Sequence, residues 1–183
     1  MKKSITIFGL IPLALCAIIF FARLYPVAIV DGSPIWYRTW DRYFQGTGHA
    51  LAVQARSTGT QFSPDASLIS VIKKDTLSAL IEDTILTAAA RKLFSEFDTE
   101  SEERIHDAIG FSANMGKAAQ LMYGFSAVDF HDFILLPQSH REVIQDNLDK
   151  QKIDFSAWLA GIKKKAHVRF FLVPYTWDGD GIK

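Results

Sequence analysis

Apolar side chains recur along most of this chain with the 3.6-residue period of helices rather than the two-residue period of strands. The longest such stretch, residues 64–94, is apolar around most of its circumference, and we expect a central helix packed on several sides. The same period predicts further helices over residues 35–44, 99–109, 112–123, 127–147 and 155–165. Gly46, Gly48 and Gly59 interrupt the pattern, and between residues 45 and 64 we expect a loop or a frayed helix.

Two apolar, β-branched runs lie at opposite ends of this helical body. Residues 27–30 end at Asp31-Gly32, a pair typical of tight turns between strands. Residues 167–173 end at Pro174, which has no backbone N–H to donate to a sheet. Each run is the obvious partner of the other. The predicted fold is therefore mostly α, a helical domain closed by a small sheet of two or three strands that pairs the N- and C-terminal strands.

The first part of the chain carries a different pattern. Residues 5–22 contain no charge and would span about 27 Å as a helix, at ~1.5 Å per residue, close to the hydrocarbon thickness of a bilayer. Two lysines precede this segment and one arginine follows it, a bias that places the N-terminus in the cytoplasm. We therefore predict a single-pass protein of the cytoplasmic membrane. Residues 1–24 form its cytoplasmic N-terminus and transmembrane anchor, and residues 25–183 form an extracytoplasmic domain.

A cleaved signal peptide is the alternative interpretation of this segment. A short basic region before an apolar core fits that class as well. Cleavage requires small residues at the end of the core, whereas this core runs into Phe20 and Phe21 before Ala22. The uncleaved anchor, in contact with the lipid bilayer through residues 5–22, is therefore the preferred prediction.

Composition and charge narrow the range of partners. The only cysteine, Cys16, lies inside the apolar segment, so no disulfide can form within the domain. Without Lys2 and Lys3, 18 basic side chains remain against 20 acidic ones, and they form no basic patch. We therefore expect no nucleic-acid partner.

The residues that carry chemistry in enzymes are scattered. The five histidines have no metal-ligand spacing, and no nucleophile elbow is present. Gly46 and Gly48 lack the further glycine and the strand–helix context of a dinucleotide-binding loop. The sequence therefore predicts no catalytic residue, no metal site and no cofactor.

Aromatic residues are the one surplus, with 14 Phe, 5 Tyr and 4 Trp. Five of them stand close together at Trp36, Tyr37, Trp40, Tyr43 and Phe44. One interpretation is core packing, because the helical spacing places part of the set on one face. The other is an apolar groove, since aromatic and methionine side chains suit loose recognition of apolar peptides. The candidate peptide-binding residues are then Tyr37, Tyr43, Phe111, Met115 and Met122.

Several short sequence patterns occur in the order that one known family has. They are VAIVDGSPI at residues 27–35, LIEDTIL at 80–86, AAARK at 88–92, YGFS at 123–126 followed by Phe130, FSAWL at 155–159 and AHV at 166–168. With this order, residues 27–173 resemble the N-terminal chaperone domain of SurA- and PrsA-type foldases. The resemblance implies that the strand before the turn pairs with the strand after the last helix. Trp36 departs from the family, which tends to have Ser or Thr as the cap of the first helix.

Members of that family usually carry a parvulin prolyl-isomerase module before the last helix. This chain has no room for one between Lys150 and Phe155. The resemblance therefore implies a non-enzymatic, holdase-like domain that binds exported, incompletely folded polypeptides outside the cytoplasmic membrane. The alternative is a structural or accessory subunit that uses the same scaffold for one fixed partner in a membrane complex. A third hypothesis, which the sequence supports least, is that the chain is an enzyme.

Overall fold

The computed structural model describes residues 23–109 and 114–183, which form helices around one long central helix, with a small sheet at one side. The predicted fold class is confirmed in this form, mostly helical with a three-stranded antiparallel sheet. The predicted membrane segment at residues 5–22 and the candidate residue Phe111 lie outside the described part. Within the two described ranges, no helix is both long enough and apolar enough to cross a membrane.

The sheet joins the two ends of the domain, as predicted. Strand β1 (Pro26–Val30) lies between β2 (Ser33–Trp36) and β3 (Val168–Phe170), antiparallel to both. The turn from β1 to β2 places Asp31 at φ 48° and Gly32 at φ 91°. Two successive positive φ values are the geometry of a tight hairpin turn, and the Asp-Gly pair tolerates them best.

The first helix is longer than predicted. Helix α1 covers Tyr37–Ser57, so residues 45–57 are regular helix where we expected a loop or a frayed helix, and Trp36 belongs to β2 rather than to the helix. Gly46 and Gly48 lie inside α1 and do not end it. Glycine lowers helix propensity by about 1 kcal/mol, a cost that tertiary packing of the helix overrides here.

The central helix is confirmed. Helix α2 covers Ala66–Leu93, and the side chain of Asp65 caps its first turn by accepting a hydrogen bond of 2.8 Å from the backbone N–H of Leu68. Its residues enter both hydrophobic cores of the domain. One core lies under the sheet and contains Leu77, Ile81 and Ile85 of α2; the other lies under the later helices and contains Leu86 and Ala90.

The remaining helices surround α2. They are α3 (Phe97–Ile109), α4 (Met115–Tyr123), α5 (Ala127–Phe130), α6 (Leu136–Lys150) and α7 (Phe155–Lys165). Helix α3 begins two residues before the predicted start at Thr99. Ser126 caps α5 and Asp154 caps α7, each just before a predicted helix start.

Pro137 lies inside the predicted helix over residues 127–147, and the helix has a wider turn just before it. A π-helical turn, His131–Leu135, joins α5 to α6, and Pro137 lies in the first turn of α6. Proline has no backbone N–H and its ring collides with the carbonyl of the preceding turn of an α-helix. A wider turn just before it relieves that collision, so the chain continues as helix through the proline.

Candidate functional site

Five aromatic side chains from α1, α4, α5, the link between α4 and α5 and the π-helical turn pack against one another. We call the set Tyr43, Tyr123, Phe125, Phe130 and Phe133 the aromatic cluster. Its ring centroids lie 5.3 Å apart for Tyr43 and Phe133, 5.5 Å for Phe125 and Phe133, and 5.6 Å for Tyr123 with both Phe125 and Phe130. These distances are typical of rings in direct contact. Burial, followed by the nearby Tyr123, raises the pKa of Tyr43.

A glycine allows this cluster to close. The ring of fully buried Phe125 lies directly on the backbone of Gly46, where an added Cβ would stand 1.9 Å from its Cε1 atom. Every other residue type would collide with that ring. The two neighbouring rings of Tyr123 and Phe133 leave Phe125 little room to move.

The predicted peptide-binding residues lie in several places. Tyr37 packs against Trp40 with its ring centroid at 5.6 Å and joins the core under the sheet, whereas Tyr43 belongs to the aromatic cluster. Met115 is half-buried at the start of α4, and Met122, at the end of the same helix, is 48% exposed. The structure therefore separates Tyr37 from Tyr43, and their role in peptide binding stays a prediction.

A different surface has the form of a binding groove. It lies between the central helix α2 and the last helix α7 and measures about 520 Å³, within the range of roughly 300–1,000 Å³ for ligand sites. We call it the α2–α7 groove. Its lining residues are Asp31, Ile85, Ala88, Ala89, Lys92, Leu93, Trp158, Ile162, Lys165 and Ala166.

The α2–α7 groove is apolar inside and cationic at its rim. Ala88 and Ala89 are too small to fill the space between the helices, and the ring of Trp158 forms part of the opposite wall. Leu93, at the end of α2, is 58% exposed although it is large and apolar. Lys92 and Lys165 are exposed and carry positive charge at the edge. This arrangement offers apolar contact to a ligand and favours anionic groups beside it.

An ion-pair network holds the walls of the groove in place. Glu82 of α2 accepts a hydrogen bond of 3.0 Å from Lys163 of α7 and a second from Arg141 of α6. Burial of Glu82 by itself would raise the pKa of this carboxyl, but the hydrogen bonds from Arg141 and Lys163 outweigh it and hold the pKa below its ordinary value. The Glu82 side chain is only 19% exposed, so solvent screens the pair weakly.

A second buried contact ties α6 to α2. His140 is buried, and its Nδ1 atom lies 3.1 Å from Asp83 Oδ1 and 3.4 Å from Thr87 Oγ1. The ring of Phe97 packs on the imidazole at a centroid distance of 5.0 Å. Both polar contacts are made by Nδ1 and tie the buried imidazole to α2. In residues 23–109 and 114–183, no three His, Cys, Asp or Glu side chains are grouped so that they could hold a metal ion.

The apolar periodicity of residues 64–94 does not distinguish Ala88 and Ala89 from packed residues of the central helix, and no pattern singles out Trp158. The signal that could have identified the groove is the run of three alanines at residues 88–90. Of these, only Ala90 is fully buried, and its two neighbours line the open groove. A run of small residues on a central helix marks either close helix contact or unfilled space.

Comparisons with known proteins found no matching family model, no matching curated protein and no matching solved structure. The similarity to the SurA- and PrsA-type chaperone domain therefore stays a prediction from the sequence.

Proposed function

We propose that this chain is a membrane-anchored, non-catalytic, chaperone-like domain that binds apolar segments of exported, incompletely folded polypeptides in the α2–α7 groove. The anchor at residues 5–22 places the domain on the outer side of the cytoplasmic membrane, where such polypeptides emerge. The observation that carries the proposal is the groove itself, which combines an apolar interior with exposed Leu93 and a cationic rim.

The groove suits loose rather than exact recognition. Its interior presents alanine, leucine, isoleucine and tryptophan side chains, and the polar groups among its lining residues are Asp31 at one end and two lysines at the rim. Because the groove offers few fixed hydrogen-bond partners, the affinity for a peptide depends mainly on the apolar area that it buries. Many peptide sequences of similar hydrophobicity can therefore bind. A holdase needs that tolerance.

A substitution in the groove tests the proposal. The full chain in lipid nanodiscs should bind a fluorescently labelled apolar peptide and slow the aggregation of a chemically unfolded client. Ala89→Asp places a carboxylate against the apolar interior of the groove, and desolvating that charge should weaken peptide binding about tenfold or more. Fluorescence anisotropy of the labelled peptide measures the change.

Ala79→Asp is the matched control, because Ala79 is an exposed residue of the same helix that does not line the groove. Both variants carry the same charge and the same loss of helix propensity. Equal binding by the two variants would reject the groove as the site. Absence of both peptide binding and client protection in the unaltered chain would reject the function.

A further inference from the structure

The surface next to the predicted anchor combines exposed large apolar side chains with arginines. Leu24 is 52% exposed and Trp36 is 46% exposed, although both are large and apolar. With Arg23, Arg38 and Thr39 they line a notch of about 460 Å³. Exposed tryptophan beside arginine is typical of the membrane–water interface, where the indole ring lies among the headgroups and arginine binds phosphate.

The chain around the notch is docked on the domain rather than free. The Nη1 atom of Arg23 donates a hydrogen bond of 2.7 Å to Asp41 Oδ2, and its guanidinium lies 5.4 Å from the ring centroid of Tyr37. The backbone N–H of Tyr37 donates to the carbonyl of Tyr25 at 2.9 Å. The residues that leave the predicted anchor therefore follow the first turn of α1.

The position of this surface follows from chain length. The apolar segment ends at residue 22, and strand β1 begins at Pro26. The three residues between them reach about 10 Å at most, at roughly 3.5 Å per residue. If residues 5–22 span the bilayer, the notch must therefore lie at the level of the lipid headgroups.

Charged residues of both signs surround the notch, and Asp132 lines a further cavity beside Arg38. A second cavity of about 510 Å³ adjoins the notch through Arg23 and Arg38 and is also lined by Asp41, Arg42, Gln45 and Asp129. Asp41 pairs with Arg23, and Asp129 pairs with Arg42 at 2.7 Å. Arg38 forms no ion pair with any of the residues that the structure describes. The guanidinium of Arg38 is therefore available to pair with an anionic ligand from outside the chain.

We propose that this face, which we call the headgroup-binding face (Arg23, Leu24, Trp36 and Arg38), binds anionic phospholipid at the bilayer surface. The phosphate pairs with Arg38, while Leu24 and Trp36 contact the glycerol and upper acyl region. The inference rests on the proposed anchor and adds to it a fixed orientation of the domain.

Quenching of tryptophan fluorescence tests the inference. The full chain is reconstituted into vesicles of phosphatidylcholine with about 30% phosphatidylglycerol, and part of the lipid carries a bromine or nitroxide quencher near the headgroup. Trp36→Phe should remove at least half of the quenchable emission, whereas Trp158→Phe, a change in the α2–α7 groove, should leave it. Equal quenching in the unaltered chain and in Trp36→Phe overturns the inference.

Lipid selectivity provides the second readout. Spin-labelled phosphatidylglycerol should be immobilised by the full chain more than spin-labelled phosphatidylcholine, and Arg38→Gln should reduce that preference about twofold. Arg56→Gln is the control, because Arg56 lies on the same helix, about 27 Å further along its axis. Loss of the preference in both variants, or in neither, overturns the role of Arg38.

Flotation of the vesicles separates this inference from the anchor. A chain that floats in alkaline carbonate but lacks quenching at Trp36 keeps the anchor and overturns the headgroup-binding face. A chain that floats only at neutral pH and low salt, with Trp36 quenched, supports the face and contradicts the anchor. A chain that does not float at all contradicts both.

Discussion

The aromatic cluster and the α2–α7 groove are both assembled from apolar side chains on helices, yet one is closed and the other is open. In the aromatic cluster the side chains are large, and Gly46 lets the ring of Phe125 reach the helix backbone. In the groove two alanines face a tryptophan, and a space of about 520 Å³ stays unfilled between the helices. Size complementarity, rather than the amount of apolar surface, decides which region can bind a ligand.

Apart from Trp158, the aromatic residues that the structure describes do not line the open groove. The aromatic surplus in the sequence was compatible with core packing and with a groove; in the structure, rings placed within reach of one another pack together and remove much of their own surface from solvent. The open apolar surface lies instead where small side chains fail to fill the space between α2 and α7. Within residues 23–109 and 114–183, the candidate binding groove is therefore lined by alanines and by no tyrosine.

The largest expected effect comes from closing the space that Gly46 leaves. Gly46→Ala places a methyl group about 2 Å from the ring of Phe125, and the ring cannot retreat because it is buried between neighbours. Overpacking of this kind lowers the free energy of unfolding by about 1–3 kcal/mol. Urea denaturation of the full chain, followed by circular dichroism, measures the loss.

Gly48→Ala is the control, since nothing lies within 4 Å of an added Cβ at that position. The same substitution there should raise the free energy of unfolding by up to ~1 kcal/mol, because alanine favours the helix. Similar effects of the two substitutions would show that the contact between Gly46 and Phe125 does not close the cluster.

A smaller effect is expected from the ion-pair network beside the groove. Glu82→Gln removes the charge that Arg141 and Lys163 share and should lower the free energy of unfolding by about 1–2 kcal/mol at neutral pH. The pKa of Glu82 is depressed in the folded state. Its contribution is therefore present above the ordinary carboxylate pKa and is lost as the pH falls through the lower, folded value.

Denaturation of the unaltered chain and of Glu82→Gln across this acidic range measures the linkage. The difference in stability between them should shrink as the pH falls. A difference that stays constant from neutral to acidic pH would contradict the assigned role of the carboxylate.

Features that depend on a few adjacent residues could be predicted from the sequence, whereas most features that depend on packing between distant residues could not. The turn at Asp31-Gly32, the caps at Ser126 and Asp154 and the closing Gly124 depend on a few adjacent residues, and all four were predictable. The regular helix through Gly46 was not, because local sequence does not show that this glycine packs against a ring 79 positions away in the chain. The pairing of β1 with β3 was within reach because each strand had one obvious partner.

The candidate site was harder to predict than the fold. Periodicity shows which face of a helix is apolar, but not whether a neighbour fills the space beside that face. Ala89 and Ala90 are adjacent in the same run, yet Ala90 is fully buried and Ala89 lines the groove. The packing of neighbouring helices separates the two outcomes, because Ala90 lies in the second hydrophobic core, whereas Ala89 faces the space that α7 leaves open.

The most direct test of the α2–α7 groove as the binding surface is photocrosslinking in the membrane from single positions of the full chain. A photoreactive phenylalanine analogue replaces Ala89 in the groove, exposed Ala79 elsewhere on the same helix, or Met122 on α4. Mass spectrometry identifies the crosslinked chains. We expect crosslinks from position 89 to several exported polypeptides and few from position 79. A single stoichiometric partner at position 89 would indicate an accessory subunit, and crosslinks from position 122 without any from position 89 would contradict the groove as the binding surface.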